Sequence, residues 1–596
     1  MRRDEIRRGR LAFVAALITA AFLALAGRLF VIQVVGHEAY LREARRMQTA
    51  SEVVPAYRGT IWSADGAILA RDVLDYEIGF DPRFVPSDKL QRIVRLVCDA
   101  VGASADYRRE RLLAAIAKKE RGDAYLGLAD GVSGALLEEI RAALERICTP
   151  EERRGFVVQV KPRRTYPRPD LASAAVGVVD AKGAGVAGIE QSMEAYLSGR
   201  AGRRGFLKDA TASLRVFDLG GPEISPVRGY DVVLTIDSRL QAIVESELAS
   251  RILEEKAEAG CFVLLDCRSG DVLALASWPT YDPNRFGEYP TEERNIRRPN
   301  RAVENLYEPG SVVKPFLAAY VLDEGILRRE DPIASLVVPP IRWDGGTYAL
   351  FGRRVVRDVS RHEDLTLERA VVYSSNISMG IVGYRMGRER LVDMLERFGF
   401  ARPTGIELPA EAAGRYSSAK GWSPIYSSVS VAFGYEVMVT PMQLARAFAA
   451  LVNGGYVLEP RIVKKLRRDG LEEEIPSHRV VRRAIGEETS RAMREILLKV
   501  VEEGTAQRLK IPGFRFGGKT GTADMARGGY TKSEYLASFE GFAPYEDPQV
   551  VALCMIERPR SGRIYGASVA GPAVQKTFRR MFQLDAVAAG RPGPPR

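Results

Sequence analysis

Histidine is nearly absent from this sequence of 596 residues, which contains only His37, His362 and His478. A Ser-His-Asp triad needs a histidine to activate the serine, and none of the three lies in a recognisable catalytic context. His37 follows an apolar segment and His478 lies in a charged stretch, so we interpret all three as surface residues. The scarcity of histidine favours lysine as the base in any serine-dependent chemistry.

Cysteine is also scarce, and no pair has the Cys-x-x-Cys spacing that is typical of metal sites. Cys261 and Cys267 flank an apolar run that predicts a strand. Six strand residues span about 20 Å, well beyond the roughly 7 Å that a disulfide allows. We therefore expect buried or free thiols, and no metal or organic cofactor. The five cysteines are Cys98, Cys148, Cys261, Cys267 and Cys554.

Long basic runs with interleaved aromatic residues are absent as well. The net charge of +11 arises from 87 basic and 76 acidic residues, and part of the excess lies in five arginines among the first ten residues. This distribution disfavours nucleic-acid binding. A hydrophobic content of 46% with 27% charged residues is typical of globular protein. At this length we expect two or more domains.

A single apolar stretch is long enough to cross a membrane. Residues 11–27 carry no charge, Arg28 interrupts the run, and residues 29–35 are apolar again. The long Arg28 side chain can reach the interface and let the helix continue. We therefore predict a transmembrane anchor over residues 11–35, preceded by a basic cytoplasmic tail over residues 1–10.

The positive charge before this span predicts that the N-terminus lies in the cytoplasm and the rest of the chain outside it. The alternative is a cleaved signal peptide, because Ala24-Leu25-Ala26 fits a small-x-small cleavage site. The apolar character that resumes after Arg28 favours the uncleaved anchor.

The segment Tyr307-Glu308-Pro309-Gly310-Ser311-Val312-Val313-Lys314 predicts a sharp turn that opens into a helix. Pro315 is tolerated in the first helical turn, where backbone N–H groups lack intrahelical acceptors. A lysine three residues after a serine lies on the same helix face, so its amine can reach the hydroxyl. This arrangement suits Ser311 as nucleophile and Lys314 as base.

Two later segments distinguish this Ser-x-x-Lys from a second one, Ser417 with Lys420. Ser374-Ser375-Asn376 and then Lys519-Thr520-Gly521-Thr522 follow Ser311 along the chain. The order Ser-x-x-Lys, Ser-x-Asn, Lys-Thr-Gly is the signature set of penicillin-binding proteins and serine β-lactamases. Ser417 does not fit this order, because it follows the Ser-x-Asn segment instead of preceding it.

Taken together, these segments resemble those of a class B penicillin-binding protein, a monofunctional peptidoglycan D,D-transpeptidase. The resemblance covers nearly the whole chain. One departure is Trp62-Ser63-Ala64 before Asp65-Gly66, where the family usually has Asp-Arg-Asn. Supporting segments are Arg58-Gly59, Asp65-Gly66, residues 185–191, Leu234-Thr235-Ile236-Asp237 and Val439-Thr440-Pro441.

Within the family, the closest likeness is to the cell-division (FtsI-like) branch. Tyr307 to Ser311, Ser374-Ser375-Asn376 and Gly434-Tyr435-Glu436 are similar to that branch. Elongation-type relatives usually carry aspartate at the position of Asn376. The resemblance thus implies a role in septal cell-wall synthesis, in a single-pass protein of the bacterial cytoplasmic membrane.

The resemblance implies an α/β (α+β) fold. A transpeptidase domain with a central antiparallel sheet flanked by helices is expected over residues 229–583. A mixed α/β pedestal of the dimerisation type is expected over residues 36–228. Residues 584–596 are predicted to be a disordered tail, because they are rich in proline and glycine.

The resemblance also implies catalytic roles. Ser311 would attack the carbonyl of the penultimate D-alanine in a stem peptide that ends in D-Ala-D-Ala, with Lys314 as base. Ser374 would relay a proton toward the leaving amine, and Asn376 would hold the substrate amide and orient Lys314. The backbone N–H groups of Ser311 and Thr522 would form the oxyanion hole.

The Lys-Thr-Gly segment is expected to bind substrate. Lys519 and the hydroxyls of Thr520 and Thr522 would bind the substrate carboxylate, and Gly521 would let the backbone approach closely. Lys314 must be neutral to act as base, although a free lysine has a pKa near 10.4. We expect burial to lower that pKa, together with a second cation nearby, which Lys519 would supply. At ~4 Å and an effective dielectric of ~20, the repulsion between the two amines is roughly 4 kcal/mol, enough for a shift of about 3 units.

Other partners and activities follow from the same resemblance. β-Lactams would mimic the donor peptide, and a polytopic membrane glycosyltransferase (SEDS-type) together with division proteins would be protein partners. A serine β-lactamase would be a smaller chain without a pedestal, and a β-lactam sensor would need a signalling domain across the membrane. A bifunctional synthase would need a further domain. A catalytically idle division scaffold is disfavoured by the intact segments.

Overall fold

A computed structural model describes residues 2–41, 49–123, 125–208, 215–217, 224–339, 341–526 and 530–588. Near the N-terminus, helix Arg2–Phe30 continues as a π-helix over Val31–Val35. The segment Arg7–Val35 has a mean hydropathy of 2.2 over its most apolar window and none of that window is buried. Among the described residues it is the one helix with the length and composition of a membrane span.

The chain forms two compact units that interleave along the sequence. The smaller unit comprises Met1–Tyr57, Leu74–Pro162 and Gly199–Arg228, and the larger comprises Arg58–Val73, Arg163–Ser198 and Gly229–Arg596. The change of unit between Arg228 and Gly229 lies where the sequence predicts a domain boundary. Two earlier segments inside the predicted pedestal range, Arg58–Val73 and Arg163–Ser198, belong to the larger unit. The domain ranges of the sequence analysis stay a prediction.

The smaller unit builds its core between amphipathic helices and a sheet. The spacing of the apolar residues Leu90, Ile93, Val94, Val97, Cys98 and Val101 in the sequence predicts an amphipathic helix. The first five are buried on helix Ser87–Ala100 and Val101 is partly buried after its end, which confirms that prediction. Its other helices are Ala105–Arg121, Gly134–Ile147 and Pro150–Arg153, and its strands are Thr49–Val54, Leu126–Val132, Gly202–Lys208 and Arg215–Phe217. Strands Ile68–Phe80 and Phe156–Thr165 contain residues of both units.

The larger unit is organised around a five-stranded antiparallel sheet. Its main elements in chain order are α1 (Ser238–Glu255), β1 (Ala259–Asp266), β2 (Val272–Trp278), α2 (Lys314–Asp323), α3 (Asn376–Arg397), α4 (Pro441–Val452), α5 (Glu487–Glu502), β3 (Gly517–Ala526), β4 (Tyr530–Ala543), β5 (Val550–Glu557) and α6 (Gly571–Ala588). The strand order is β2-β1-β5-β4-β3, so β3 is an edge strand. Helices α1 and α6 pack on one face of the sheet, and α4 and α5 pack on the other. This arrangement confirms the predicted fold class.

Shorter elements complete the larger unit. The short strands are Ile61–Trp62, Val178–Val179, Gly185–Ala187, Asp231–Leu234, Ile341–Trp343, Tyr348–Phe351, Arg354–Arg357, Arg415–Tyr416, Val437–Met438, Tyr456–Leu458, Val463–Arg468, Leu471–Glu474 and Val480–Arg483. The short helices are Ser173–Val176, Gly188–Ser192, Glu194–Leu197, Thr291–Arg297, Arg301–Glu304, Leu367–Val372, Tyr426–Ala432 and Gly566–Val569.

Two of the supporting sequence segments meet in a buried ion network of the larger unit. The Glu190 carboxylate, which is fully buried, accepts from Arg58 Nε at 2.6 Å and from Arg164 Nε at 2.7 Å. Arg164 also contacts Asp72 at 3.2 Å. A Cβ on Gly59 would lie 1.8 Å from the Tyr230 carbonyl oxygen, so this close approach of two backbones requires glycine.

The unusual Trp62-Ser63-Ala64 segment has its own contacts. The Trp62 indole N–H donates to Asp231 at 3.3 Å, and the Arg467 guanidinium lies 4.6 Å from the centre of the Trp62 ring. Asp65 accepts from both the N–H and the hydroxyl of Ser238 at the start of α1. Hydrogen bonds and a cation–π contact therefore hold this strand and turn in place.

Helix α6 extends through residue 588, which lies inside the range 584–596 that the sequence predicts as a tail. The disorder of that tail stays a prediction. The remaining part of that tail, residues 589–596, lies outside the described residues. The five cysteines are free and buried, as expected from their spacing.

Candidate active site

Ser311 lies in a tight turn that leads directly into α2. A 3₁₀ turn spans Gly310–Val313, and Lys314 is the first residue of the α-helix, which confirms the predicted turn and helix. Gly310 has φ of +58°, a left-handed conformation that glycine adopts without strain. A Cβ there would also lie 2.9 Å from the Thr522 carbonyl oxygen. The turn therefore fits closely against strand β3.

The Lys314 amine is fixed by three hydrogen bonds. Its Nζ donates to the Ser374 carbonyl oxygen at 2.6 Å, to Asn376 Oδ1 at 2.7 Å and to Ser374 Oγ at 3.2 Å. The Lys314 side chain is completely buried. No hydrogen bond joins it to Ser311 Oγ in the part of the chain that the structure describes. Such contacts often tighten only in the substrate complex.

Ser374 stands between two lysines. Its Oγ lies 3.2 Å from Lys314 Nζ and 2.9 Å from Lys519 Nζ, and Lys519 also donates to the Thr520 carbonyl oxygen at 2.9 Å. Ser374 has φ of +59°, which is a strained conformation for a residue with a Cβ. This backbone turns both the carbonyl oxygen and the hydroxyl of Ser374 toward Lys314.

The two lysines have strongly lowered pKa values. Burial lowers the pKa of Lys314 from 10.5 to about 7, while the Asp358 carboxylate acts in the opposite direction. Burial, and secondly the charge of Lys314, hold the pKa of Lys519 well below its usual value. The expected effect of burial on Lys314 is therefore confirmed, whereas the charge of Lys519 is not among the causes of its lowered pKa.

Asp358 is a site residue that the sequence did not reveal. Its carboxylate accepts from the N–H groups of Asn376 at 2.5 Å and Ile377 at 3.0 Å and from the Ser375 hydroxyl at 2.6 Å. These bonds cap the N-terminus of α3, which carries Asn376. The Asn376 Nδ2 donates to the Arg357 carbonyl oxygen at 3.3 Å, so this amide already has a partner on each side.

The Lys-Thr-Gly segment lies on edge strand β3, next to the Ser311 turn. A Cβ on Gly521 would lie 2.3 Å from Ser538 Oγ on β4 and 3.3 Å from the Pro309 carbonyl oxygen, so a larger residue would clash with β4 and crowd the turn. Thr522 Oγ1 accepts from the Gly566 N–H at 3.3 Å, and the hydroxyls of Thr520 and Thr505 lie 3.0 Å apart.

A cavity of about 470 Å³ opens over these groups. Ser311, Ser374, Asn376, Thr520 and Thr522 line it, whereas Lys314 and Lys519 are buried behind its wall. Three further lining residues carry charge, and six carry aromatic rings. The charged ones are Asp358, Arg508 and Asp524, and the rings are those of His362, Tyr373, Phe433, Tyr435, Tyr535 and Tyr565.

His362 was interpreted from the sequence as a surface residue without context. In the structure it is half-buried at the cavity, where its ring stacks on Tyr373 with 4.9 Å between centroids. The second Ser-x-x-Lys is not part of this cavity: the Ser417 hydroxyl contacts Glu436 at 3.5 Å and Lys420 is exposed. The structure therefore places Ser311, from the Ser-x-x-Lys that the order of segments selected, in one cavity with residues of the other two segments.

Comparison with protein families shows to which family the chain belongs. Residues 260–579 match the penicillin-binding protein transpeptidase domain, and residues 53–234 match the penicillin-binding protein dimerisation domain. The chain belongs to the class B penicillin-binding proteins. The resemblance that the sequence segments indicated is therefore confirmed.

Three relatives illustrate how far the likeness to this class B penicillin-binding protein extends. A probable peptidoglycan D,D-transpeptidase PbpC of Pseudomonas aeruginosa is 31% identical, with 96% of this chain and 94% of the relative covered. A probable peptidoglycan D,D-transpeptidase PenA of Neisseria gonorrhoeae is 30% identical, with 98% and 94% covered. The peptidoglycan D,D-transpeptidase FtsI of Escherichia coli is 29% identical, with 94% and 90% covered.

Solved structures share the fold. A peptidoglycan synthetase from Bifidobacterium adolescentis matches with a TM-score of 0.70 at 24% identity, covering 92% of this chain and 98% of that chain. Penicillin-binding protein 3 of Mycobacterium tuberculosis, in complex with aztreonam, matches with a TM-score of 0.65 at 24% identity, covering 91% and 98%. Both cover the two units described above.

Proposed function

We propose that this class B penicillin-binding protein is a peptidoglycan D,D-transpeptidase that works through an acyl ester on Ser311. One observation carries the proposal: three distant segments meet so that the Ser374 hydroxyl lies within hydrogen-bonding distance of both Lys314 and Lys519, beside the Ser311 turn. The names of full-length relatives support the same activity.

Acylation begins at the neutral Lys314 amine, whose pKa of about 7 leaves much of it unprotonated near neutral pH. Lys314 takes the hydroxyl proton of Ser311 as Oγ bonds to the carbonyl carbon of the penultimate D-alanine. The bond from that carbon to the nitrogen of the terminal D-alanine then breaks. Ser374 passes a proton to the leaving nitrogen, because its hydroxyl contacts Lys314 and can donate as well as accept.

The backbone and the Lys-Thr-Gly segment stabilise charge during this step. The Ser311 N–H lies in the first helical turn and has no intrahelical acceptor, so with the Thr522 N–H it is suited to bind the developing oxyanion. Lys519, Thr520 and Thr522 bind the terminal carboxylate of the donor. That carboxylate restores the proton of Lys519, because a neighbouring anion favours the charged amine.

Cross-linking completes the cycle. The amine of a second stem peptide attacks the Ser311 ester, its proton passes to Lys314, and the ester oxygen leaves with a proton to regenerate Ser311. A new amide bond joins the two peptides. β-Lactams enter the same cavity, open their ring on Ser311 and remain attached, because the nitrogen released from the carbonyl stays tethered to the acyl group and does not leave the cavity.

The place of action follows from the anchor. The apolar helix over Arg7–Val35 anchors the protein in a membrane. The basic residues before it orient the N-terminus toward the cytoplasm, which places both units on the outer side, where peptidoglycan lies. The division-type segments favour a septal role beside a SEDS-type membrane glycosyltransferase and division proteins. The domain ranges 36–228 and 229–583 are proposed to be the pedestal and the transpeptidase domain.

The proposal is tested with the full-length protein in detergent and uncross-linked glycan strands whose stem peptides end in D-Ala-D-Ala. We expect release of D-alanine together with dimeric muropeptides, and loss of both in Ser311→Ala and in wild type with benzylpenicillin. D-Alanine without dimers would indicate a hydrolase. Penicillin binding without D-alanine release would indicate the idle scaffold or sensor, and rapid penicillin turnover would indicate a β-lactamase.

A further inference from the structure

Asp524 carries a carboxylate in the active-site cavity that no step above uses. It lies on β3 two residues after Thr522 and lines the cavity together with Ser311. The other acidic residue there, Asp358, is occupied at the N-terminus of α3, and Arg508 donates to Ser568 at 2.7 Å. Within the described part of the chain, no ion pair engages the half-buried Asp524. The Asp524 carboxylate is thus available to a ligand.

Tyr435 holds this carboxylate in position. Its hydroxyl accepts from the Asp524 N–H at 3.3 Å and lies 3.5 Å from Asp524 Oδ2. Burial raises the pKa of Tyr435 to about 12, so it stays a neutral phenol. The Phe433 ring packs edge-on against Tyr435 at 5.9 Å. An anion fixed beside aromatic rings is suited to a ligand ammonium group, which gains from both.

Edge strand β3 determines which part of the substrate reaches Asp524. An extended peptide can add to the free edge of a strand. With its terminal carboxylate at Lys519 and Thr520 and its reacting carbonyl at Ser311 and Thr522, the donor runs antiparallel to β3 toward Asp524. Two residues of strand cover about 7 Å. The residue before the reacting D-alanine is therefore level with Ala523, and a long side chain on it can span the remaining distance of about 3.4 Å along the strand to Asp524.

The donor stem peptide must itself carry an amine. A cross-link needs an acceptor amine on the stem peptide, and donor and acceptor strands are copies of one polymer. Every donor strand therefore carries the same amine as a spectator. The attacking amine must come to about 3 Å from the reacting carbonyl, whereas Asp524 lies about 7 Å further along the strand.

We infer that Asp524 is a specificity-determining residue that binds the side-chain ammonium group of the donor stem peptide. This inference rests on the proposed transpeptidase function. In this arrangement the donor peptide is selected at the C-terminal end of β3, and the attacking acceptor amine binds in a different part of the cavity.

The test uses two synthetic donors, Nα-acetyl-Lys-D-Ala-D-Ala and its Nε-acetylated form, in competition with fluorescent penicillin for the full-length protein. For wild type we expect the free amine to compete about tenfold better, as one charge-assisted hydrogen bond allows. Asp524→Asn should abolish the preference, Asp524→Lys should reverse it and Asp524→Glu should keep it. The matched control Asp547→Asn, which removes an exposed carboxylate paired with Arg268, should also keep it.

Three results would overturn the inference. One is an unchanged preference for the free amine in Asp524→Asn, measured on protein whose thermal melting matches wild type. Another is equal competition by the two donors in wild type. The third is that Asp524→Asn changes only the rate at which added glycine amide cleaves the acyl ester, and not the competition by the two donors. This result would indicate that Asp524 binds the amine of the acceptor. Failure of wild type to bind penicillin at all would instead refute the proposed function.

Discussion

The pH dependence of acylation tests the role of Lys314 as base. Because burial lowers the pKa of this amine to about 7, its neutral fraction should be about a tenth at pH 6, half at pH 7 and nine tenths at pH 8. A lysine with the ordinary value would be neutral in only about one molecule in three thousand at pH 7. Burial thus increases the population of the active base by roughly a thousandfold.

The assay is the second-order rate constant for acylation by benzylpenicillin between pH 5 and 9. This rate constant reports ionisations of the free enzyme. We expect it to fall about tenfold for each unit below pH 6 and to reach a plateau above pH 8. A rate that is independent of pH over this range, or that still rises at pH 9, would refute Lys314 as a base with a lowered pKa.

Two further substitutions test the electrostatics of the site. Asp358→Asn should move the midpoint of the acylation profile to lower pH, because the Asp358 charge raises the pKa of Lys314; an unchanged midpoint would contradict this. Glu540→Leu should raise the free energy of unfolding by about 1–3 kcal/mol at pH 7.5, because Glu540 is fully buried, neither carboxyl oxygen has a hydrogen-bond partner among the described residues, and burial raises its pKa. The folded state favours protonated Glu540, so the stability this gives the wild type is present below about pH 4.5 and is lost as pH rises. The gain from Glu540→Leu in thermal melting should therefore shrink toward pH 4.5, and a gain that is constant with pH would contradict the burial of a protonated acid.

Local patterns in the sequence predicted much of this molecule. The order of the three signature segments selected Ser311 over Ser417, and periodic apolar residues such as Leu90 and Val97 predicted a helix that the structure contains. Glycine positions also had local causes, since Gly310 needs a positive φ. These features depend on neighbours along the chain, which a sequence shows directly.

Other features depend on contacts between distant segments. No neighbouring residue in the sequence indicates that Asp358 caps α3, or that Asp524 lines the same cavity as Ser311. The sequence suggested that burial lowers the pKa of Lys314, but it could not show that the side chain is completely buried, because burial is a property of the whole fold. Likewise, the composition of residues 58–73 does not indicate that they belong to the larger unit.

Covalent labelling by fluorescent penicillin, followed by mass mapping of the acylated peptide, tests the central claim most directly. We expect the label on Ser311, its loss in Ser311→Ala and its retention in the matched variant Ser417→Ala, which alters the other Ser-x-x-Lys. The label should persist for many minutes. Label that survives Ser311→Ala, or that maps to Ser417, would contradict the assignment of Ser311 as the nucleophile.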